Sequence, residues 1–339
     1  MFKPFKNPYK SILIIRANAV SDFRMEVAHT LLSEAGYDTR IITEVPFYMA
    51  GQYDTILCCR PGDTMLELLK VSLMAGRQVI IDLDDDFTSV PSHNPAYKFT
   101  GPGHPTYLTE LKRMLRNPGV MTTYASPELI KRYRVDGAVI PNYYDDANPL
   151  WQEAKPVRDT VNIGFSGTAT HREDWKLCHE AVERVMRERP NVKLVVNVDT
   201  FIYEQFGEFP EARRLFIPGV PYNDYPLVYK HIDILLIPLR DTYFNRAKSD
   251  IKMVECGATR TAYVASDMPV YREWARGGLL AGENGWYEQI NRLVNSADER
   301  NKLADDGYER SRERAGSIIG RKWIELIEKV ADENPVSRG

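Results

Sequence analysis

The stretch Phe244-Asn-Arg-Ala-Lys248-Ser-Asp-Ile-Lys252-Met-Val-Glu255 lies between two apolar runs, Asp233-Ile-Leu-Leu-Ile-Pro-Leu239 and Ala262-Tyr-Val-Ala265. A short apolar run bounded by turn residues reads as a buried strand. Strand, polar loop, helix and second strand make one parallel α/β unit. Lys248 and Glu255 are seven residues apart. At about 3.6 residues per turn, a helix through this stretch brings both to one face. A cation near a helix start, where backbone N–H groups point outward, suits a diphosphate. A carboxylate two turns further in can accept hydrogen bonds from a ribose diol. The same spacing also describes a surface lysine on an ordinary amphipathic helix.

Outward from this unit the pattern repeats. Strands are expected at 11–16, 39–44, 55–60, 79–83, 120–124 and 138–140, with helices at 22–35, 64–75 and 107–115. A second series expects strands at 161–165, 193–198, 215–217, 233–238, 262–265 and 279–281, with helices at 173–187, 250–256 and 287–295. The proline-bearing, aperiodic segment 142–159 separates the two series and reads as a linker. The domains expected are 1–145, a linker at 146–160, a second domain at 161–315 and a C-terminal helix at 316–335. In that last segment Ile318, Ile319, Trp323, Ile324 and Ile327 have helical apolar spacing. Two such domains in tandem imply a cleft between facing strand ends, and ligands of these sheets bind outside the carboxyl ends of the strands.

Composition narrows the class. With 339 residues, 43% hydrophobic and 27% charged, the chain has enough material for two cores and is not fibrous or disordered. A formal charge of −3 gives no global attraction to nucleic acid or an anionic membrane. No apolar run approaches the ~20 residues of a membrane span, and residues 1–10 lack the apolar core of a signal peptide. Cys58, Cys59, Cys178 and Cys256 form no metal-ligand spacing, so reduced, packed thiols and a cytoplasmic location are expected.

Several constellations carry chemistry. Ile163-Gly-Phe-Ser-Gly167-Thr-Ala-Thr-His171-Arg-Glu-Asp174 ends a strand in a Ser-Gly turn before a helix. Ser166, Gly167, Thr168 and Thr170 let backbone amides approach an anion, and His171 is placed to donate to it. Val79-Ile-Ile-Asp82-Leu-Asp84-Asp85-Asp86-Phe87 sets acids at a strand end, with Asp82 and Asp84 alternating onto one side. Such acids position or deprotonate a hydroxyl, bind a divalent cation, cap a turn, or pair with an arginine. Ser21 or Asp22 reads as an N-cap, placing Arg24 in the first helical turn. An arginine there calls for an anionic ligand or an acid partner. Lys112, Arg113, Arg116, Lys131, Arg132 and Arg134, interleaved with Tyr107, Tyr124 and Tyr133, leave a nucleic-acid partner open beside the plainer reading of solvated helix faces.

Taken in order, these motifs resemble retaining glycosyltransferases of the GT-B fold, family 4, in a bacterial and bacteriophage subgroup. The resemblance runs through Phe23-Arg24, Arg60-Pro61, Asp82–Asp86, Asn94-Pro-Ala-Tyr97, Ser126-Pro-Glu-Leu129 and Pro141-Asn142. It continues through Gly164, Gly167, Thr170-His171, Asp174, Pro238-Leu239, Phe244-Asn245, Lys248-Ser-Asp-Ile-Lys252 and Glu255. It implies two Rossmann-like domains facing each other across a cleft, with the C-terminal helix around Trp323 crossing back to the first.

The donor it implies is a UDP- or GDP-sugar, with no further cofactor and no metal, although Asp82-Leu-Asp84 spells a metal motif of the other large glycosyltransferase fold. Lys248, Glu255, His171 and Asp84 are the expected catalytic set. Ser166, Gly167, Thr168, Thr170, Asn245, Ser249 and Asp250 are expected around the donor, and Arg24, Asp82, Asp85 and Asp86 on the acceptor side. The acceptor implied is a saccharide or glycan, or a hydroxylated DNA base if the gene is viral. Two departures stand out: Ala247 occupies the place of a frequent second Glu, and Thr259-Arg-Thr-Ala-Tyr263 replaces a Gly-x-Pro-Val turn. Rival readings are a nucleotide-sugar epimerase or hydrolase, and a binding subunit without transfer.

Overall fold

The computed structural model describes residues 11–16, 23–44 and 46–333. Ser21 and Asp22, the expected N-cap pair, lie outside them. Runs of Ile, Leu and Val buried on both faces form the central parallel strands, half-exposed strands lie at the edges, and the described residues build two sheets of this kind. The first contains β1 (Ser11–Ile15), β2 (Asp38–Ile42), β3 (Thr55–Cys59), β4 (Gln78–Leu83), β5 (Val120–Tyr124) and β6 (Ala138–Val139). Its spatial order is β2-β1-β3-β4-β5-β6. The second contains β7 (Val161–Gly167), β8 (Val192–Val198), β9 (Arg214–Ile217), β10 (Ile234–Ile237), β11 (Ala262–Ser266) and β12 (Gly278–Ala281), in the order β12-β11-β10-β7-β8-β9. Every strand pair is parallel. Both orders reverse direction once, at β1/β3 and at β7/β10, which defines a doubly wound Rossmann-like sheet and its switch point.

All twelve apolar runs read from the sequence are strands. One helix departs from expectation: 173–187 is two helices, Arg172–Trp175 and His179–Glu188. The break is a turn in which Cys178 N–H donates to the Trp175 carbonyl at 3.0 Å, with both side chains buried. It lets Trp175 pack 4.9 Å from the Phe165 ring while its Nε1–H donates to His179.

Contacts divide the chain into two units. The first holds the described residues of Met1–Asp145, Ala247–Ser249 and Gly316–Gly339; the second holds Asp146–Arg246 and Asp250–Ala315. In the first unit, the helix Arg321–Glu333 packs on the helix Phe23–Glu34, and Ile319, Trp323, Leu326 and Ile327 join the core around Ile12, Ile14 and Leu57. A Cβ on Gly320 would lie 2.6 Å from the Gly316 carbonyl oxygen and 1.8 Å from Leu31 Cδ1, so the backbone itself requires glycine here. In the second unit, residues 146–160 are tied down rather than free. Asn148 donates to the Asn223 carbonyl at 2.8 Å, Trp151 packs on Tyr229, and Lys155 Nζ donates to the Ile232 carbonyl at 2.7 Å and to Thr261 Oγ1 at 2.6 Å. Burial pushes the Lys155 ammonium down to about 8. The four cysteines are buried and none of them forms a disulfide.

Candidate functional site

In the second unit, the switch point lies between the carboxyl ends of β7 and β10. After Gly167 the chain makes a short turn through His171 into the helix Arg172–Trp175. His171 Nδ1 and Asp174 Oδ2 are 3.0 Å apart, and the other Asp174 oxygen accepts from Arg240 N at 2.9 Å and Asn245 Nδ2 at 3.1 Å. Asp174 thus fastens the loop after β7 to the loop after β10. With the carboxylate ionised, Nδ1 carries the proton and Nε2 is the acceptor of the neutral ring. The His171 side chain is 27% exposed. Gly167 keeps the loop low against this ring: an added Cβ would come within 3.0 Å of Phe165 and 3.3 Å of His171.

The helix Ile251–Ala258 supplies the second part. It starts three residues after Lys248, so Lys248 and Glu255 do not share a helix face as the spacing predicted. Asp250, at the N-cap, caps nothing with its side chain; it is buried and accepts from Arg314 Nη2 at 2.7 Å. Burial raises the Asp250 carboxyl, and Arg314 pulls it back. The residue that does share a face with Glu255 is Lys252, three positions earlier, which the sequence reading passed over. Lys252 Nζ donates to the Ser166 carbonyl and lies 5.7 Å from the centre of the Phe165 ring. A cation in a first helical turn opposes the helix dipole. An anion at that end would reverse the balance.

Glu255 is 7% exposed, and Tyr229 Oη donates to its Oε2 at 2.7 Å. Burial pushes the carboxyl up to about 7, while the Tyr229 bond and the Lys252 charge pull the other way. Tyr225 Oη is 3.0 Å from Ser166 Oγ, and Ser166 donates to Asn197 Oδ1 at 2.9 Å. Asn197 in turn donates to the carbonyls of Ile217 and Pro218. Of the residues expected around the donor, Ser166, Asn245 and Asp250 are therefore buried and bonded to protein. Gly167, Thr168, Thr170 and Ser249 are half-buried or exposed, and Thr168 and Thr170 have their hydroxyls 2.8 Å apart.

In the first unit the acidic run after β4 resolves into distinct roles. Asp82 and Arg24 are both fully buried; Arg24 Nε and Nη2 donate to the carboxylate at 3.0 and 2.8 Å, and Arg24 Nη1 to Asn142 at 2.8 Å. Thr123 Oγ1 donates to Asp82 at 2.7 Å. Asp86, also fully buried, caps the following turn through Thr88 N at 3.0 Å and the Ser89 hydroxyl. Arg24, Asp82 and Asp86, expected on the acceptor side, are thus sealed from solvent and reach no ligand directly. The first-turn arginine takes an acid partner, not an anionic ligand.

Asp84, expected to be catalytic, is gripped by both ends of the Arg60 guanidinium. Burial works to raise its carboxyl, but Arg60 beside it wins and holds it below the usual range, with Arg24 and Lys248 adding to the effect. Asp85 is the acid left facing outward, 24% exposed, and its Oδ2 accepts from Lys248 Nζ at 2.7 Å. Tyr133 locks the loop, donating to the Asp85 carbonyl and accepting from Phe87 N, each at 2.9 Å.

The tyrosines between the basic clusters are buried, and Tyr124 stacks on Tyr133. They make no surface on which bases stack, and Arg113, Lys131 and Arg132 pair with Glu110 or Glu128. Among the described residues no group of three or more His, Cys, Asp or Glu is placed to hold a metal ion, and no helix is long and apolar enough to cross a membrane.

No family model matches the chain. A search of curated proteins also finds no match. Solved structures do match over nearly the whole chain. A sucrose-phosphate synthase from Thermosynechococcus elongatus is 14% identical, covers 96% of this chain and 100% of its own, and superposes with a TM-score of 0.70. A glycosyltransferase from Rickettsia africae is 10% identical, covers 96% and 100%, and gives 0.69. A putative UDP-N-acetylglucosamine 2-epimerase from Listeria monocytogenes is 10% identical, covers 96% and 97%, and gives 0.62. At these identities the likeness establishes the fold, GT-B with two Rossmann-like domains.

Proposed function

We propose that this chain is a glycosyltransferase that moves a sugar from a nucleoside-diphosphate sugar to an acceptor hydroxyl with retention of configuration. The observation that carries the reading is the grouping at the β7/β10 switch point: the His171–Asp174 loop, Lys252 against Ser166, and Glu255 buried on Tyr229. Glu255 accepts from the ribose diol of a UDP or GDP moiety. Lys252 neutralises the diphosphate, and Gly167, Thr168 and Thr170 offer it backbone and hydroxyl donors. His171, oriented by Asp174, turns Nε2 toward the reacting sugar, accepting from a hydroxyl as the neutral ring or donating to a phosphate oxygen as the imidazolium. Two of the proteins with this fold are a sucrose-phosphate synthase and a glycosyltransferase, which agrees with the assignment.

The bond from the anomeric carbon to the diphosphate oxygen breaks, and that carbon bonds the acceptor oxygen. The acceptor proton passes to the departing phosphate oxygen. No covalent nucleophile is required, and the protein contributes charge stabilisation of the leaving group and positioning. Asp85 is the acid of the first unit assigned to an acceptor saccharide or glycan. A nucleotide-sugar epimerase is the second reading, since the putative UDP-N-acetylglucosamine 2-epimerase from Listeria monocytogenes has the same fold.

The test is a thermal-shift screen of UDP, GDP and their sugars, followed by assay of nucleoside diphosphate release with saccharide acceptors. Stabilisation by one nucleotide, lost in Lys252→Ala and Glu255→Ala, is the expected result. Equal binding by wild type and both variants would overturn the site. Interconversion of nucleotide sugars without acceptor would replace the transferase by the epimerase.

A further inference from the structure

Glu255 cannot be oriented by its own helix alone, because a glutamate side chain has three rotatable bonds and this one is 7% exposed. Its neighbour in space comes from 26 residues away: Tyr229, at the end of the helix Pro226–Tyr229, is fully buried and donates through Oη to Oε2 at 2.7 Å. Tyr229 is itself fixed by rings on two sides, Trp151 at 6.4 Å and Tyr225 at 5.6 Å between centroids. A rigid aromatic donor thus occupies one oxygen of the carboxylate.

We propose that Tyr229 is a positioning residue for nucleotide binding: its hydroxyl fixes the Glu255 carboxylate so that the remaining oxygen, Oε1, accepts from the ribose diol. The inference rests on the donor-site reading above and deepens it. A diol presents two O–H donors, so only an ionised, correctly turned carboxylate serves both. The groups facing Glu255 are Tyr229 and Tyr225 from the segment before β10, and Lys252 and Cys256 from its own helix. Tyr229 and Lys252 favour the anion, and burial opposes it. Removing the Tyr229 hydroxyl therefore leaves the carboxylate both looser and harder to ionise.

The discriminating experiment measures the affinity of UDP and of GDP across pH for the wild type, Tyr229→Phe and Glu255→Gln. In the wild type, affinity rises with pH as Glu255 ionises, with a midpoint near the value of about 7 to which burial raises its carboxyl. In Tyr229→Phe, loss of a hydrogen bond to a charged group moves that midpoint up by about one pH unit or more, so affinity falls about tenfold near neutrality and recovers in alkali. A uniform loss at every pH, or an unmoved midpoint, overturns the proposal and leaves Tyr229 a packing residue. Glu255→Gln abolishes the pH dependence if the carboxylate reads the ribose. If that variant keeps wild-type affinity and profile, or if neither nucleotide binds, the donor-site reading itself fails. Thermal unfolding of Tyr229→Phe, which keeps the ring and its packing, checks that the fold is intact.

Discussion

Val198 closes β8 with φ 78°, a left-handed conformation that a β-branched residue adopts only under constraint. The turn it makes sets Asp199 to cap the helix Thr200–Glu204 and to take both Arg172 bonds, at 2.8 and 3.0 Å. Replacing Val198, which is 39% exposed, by Asn should stabilise the protein by about 1 kcal/mol in denaturant unfolding, since Asn tolerates this region. No gain would mean that the turn stores no strain. Arg24→Met tests the opposite case: it strands the fully buried Asp82 carboxylate and should cost about 3–5 kcal/mol, well beyond the loss of a surface pair. The Arg60–Asp84 pair has a pH signature. Asp84 is held below its unfolded value, so its contribution is present above that value and is lost as pH falls through the folded one. Arg60→Ala should flatten that acid limb of the unfolding curve, and an unchanged limb would assign the acid sensitivity elsewhere. These pairings also mark the limit of reading acids from sequence. The run Asp82–Asp86 announces chemistry, and a local cap such as that of Asp86 on the next turn is readable, but which acid is paired or presented depends on Arg24, Arg60 and Thr123, which sequence order does not connect to it.

At the scale of elements, the central strands were legible because parallel strands buried on both faces need continuous apolar runs, and such runs are local. The helix holding Glu255 was legible, its start within one residue of the expected Asp250, but the face was not: Lys248 lies before Ile251, and the face-sharing cation is Lys252. Spacing of three was as readable as spacing of seven; what hid it was that Lys252 meets the β7 loop only through the fold. The position of this helix depends on a close crossing with Ala297–Ser311. A Cβ on Gly257 would fall 2.4 Å from the Gly307 carbonyl oxygen and 2.7 Å from Ser311 Cβ. Gly257→Ala must therefore push the helices apart, at about 1–3 kcal/mol of stability. Because Glu255 rides on the displaced helix, nucleotide affinity should fall as well, read by titration calorimetry. Lost stability with intact affinity would show that the site is insulated from the crossing.

For the molecule as a whole, Glu255 makes stability and pH interdependent. Its folded value is raised to about 7, so its contribution is full below the unfolded value of ~4.3 and is lost as pH rises through 7. Melting temperature should fall across that window, and Glu255→Gln should flatten the decline; an unaltered slope would disprove the linkage. The two-domain plan was legible from the repeated series of strands and helices. Less legible was the extent to which 146–160, read as a linker, is bound into the second unit through Lys155 and Trp151. The placement of Trp323 carries a further consequence. Its Nε1–H donates to Tyr143 Oη at 3.1 Å, Tyr143 donates to the Arg24 carbonyl at 2.7 Å, and Leu326 and Ile327 fill the same core as Ile12 and Ile14. A ribosome releases Ile12 and Met25 roughly three hundred codons before their packing partners. The second unit, apart from the short insertion at Ala247–Ser249, is complete by Ala315. The unit synthesised first must therefore wait, its sheet short of part of its cover, and finish folding only after the second unit has been made, with the helix Arg321–Glu333 as the element that closes its core.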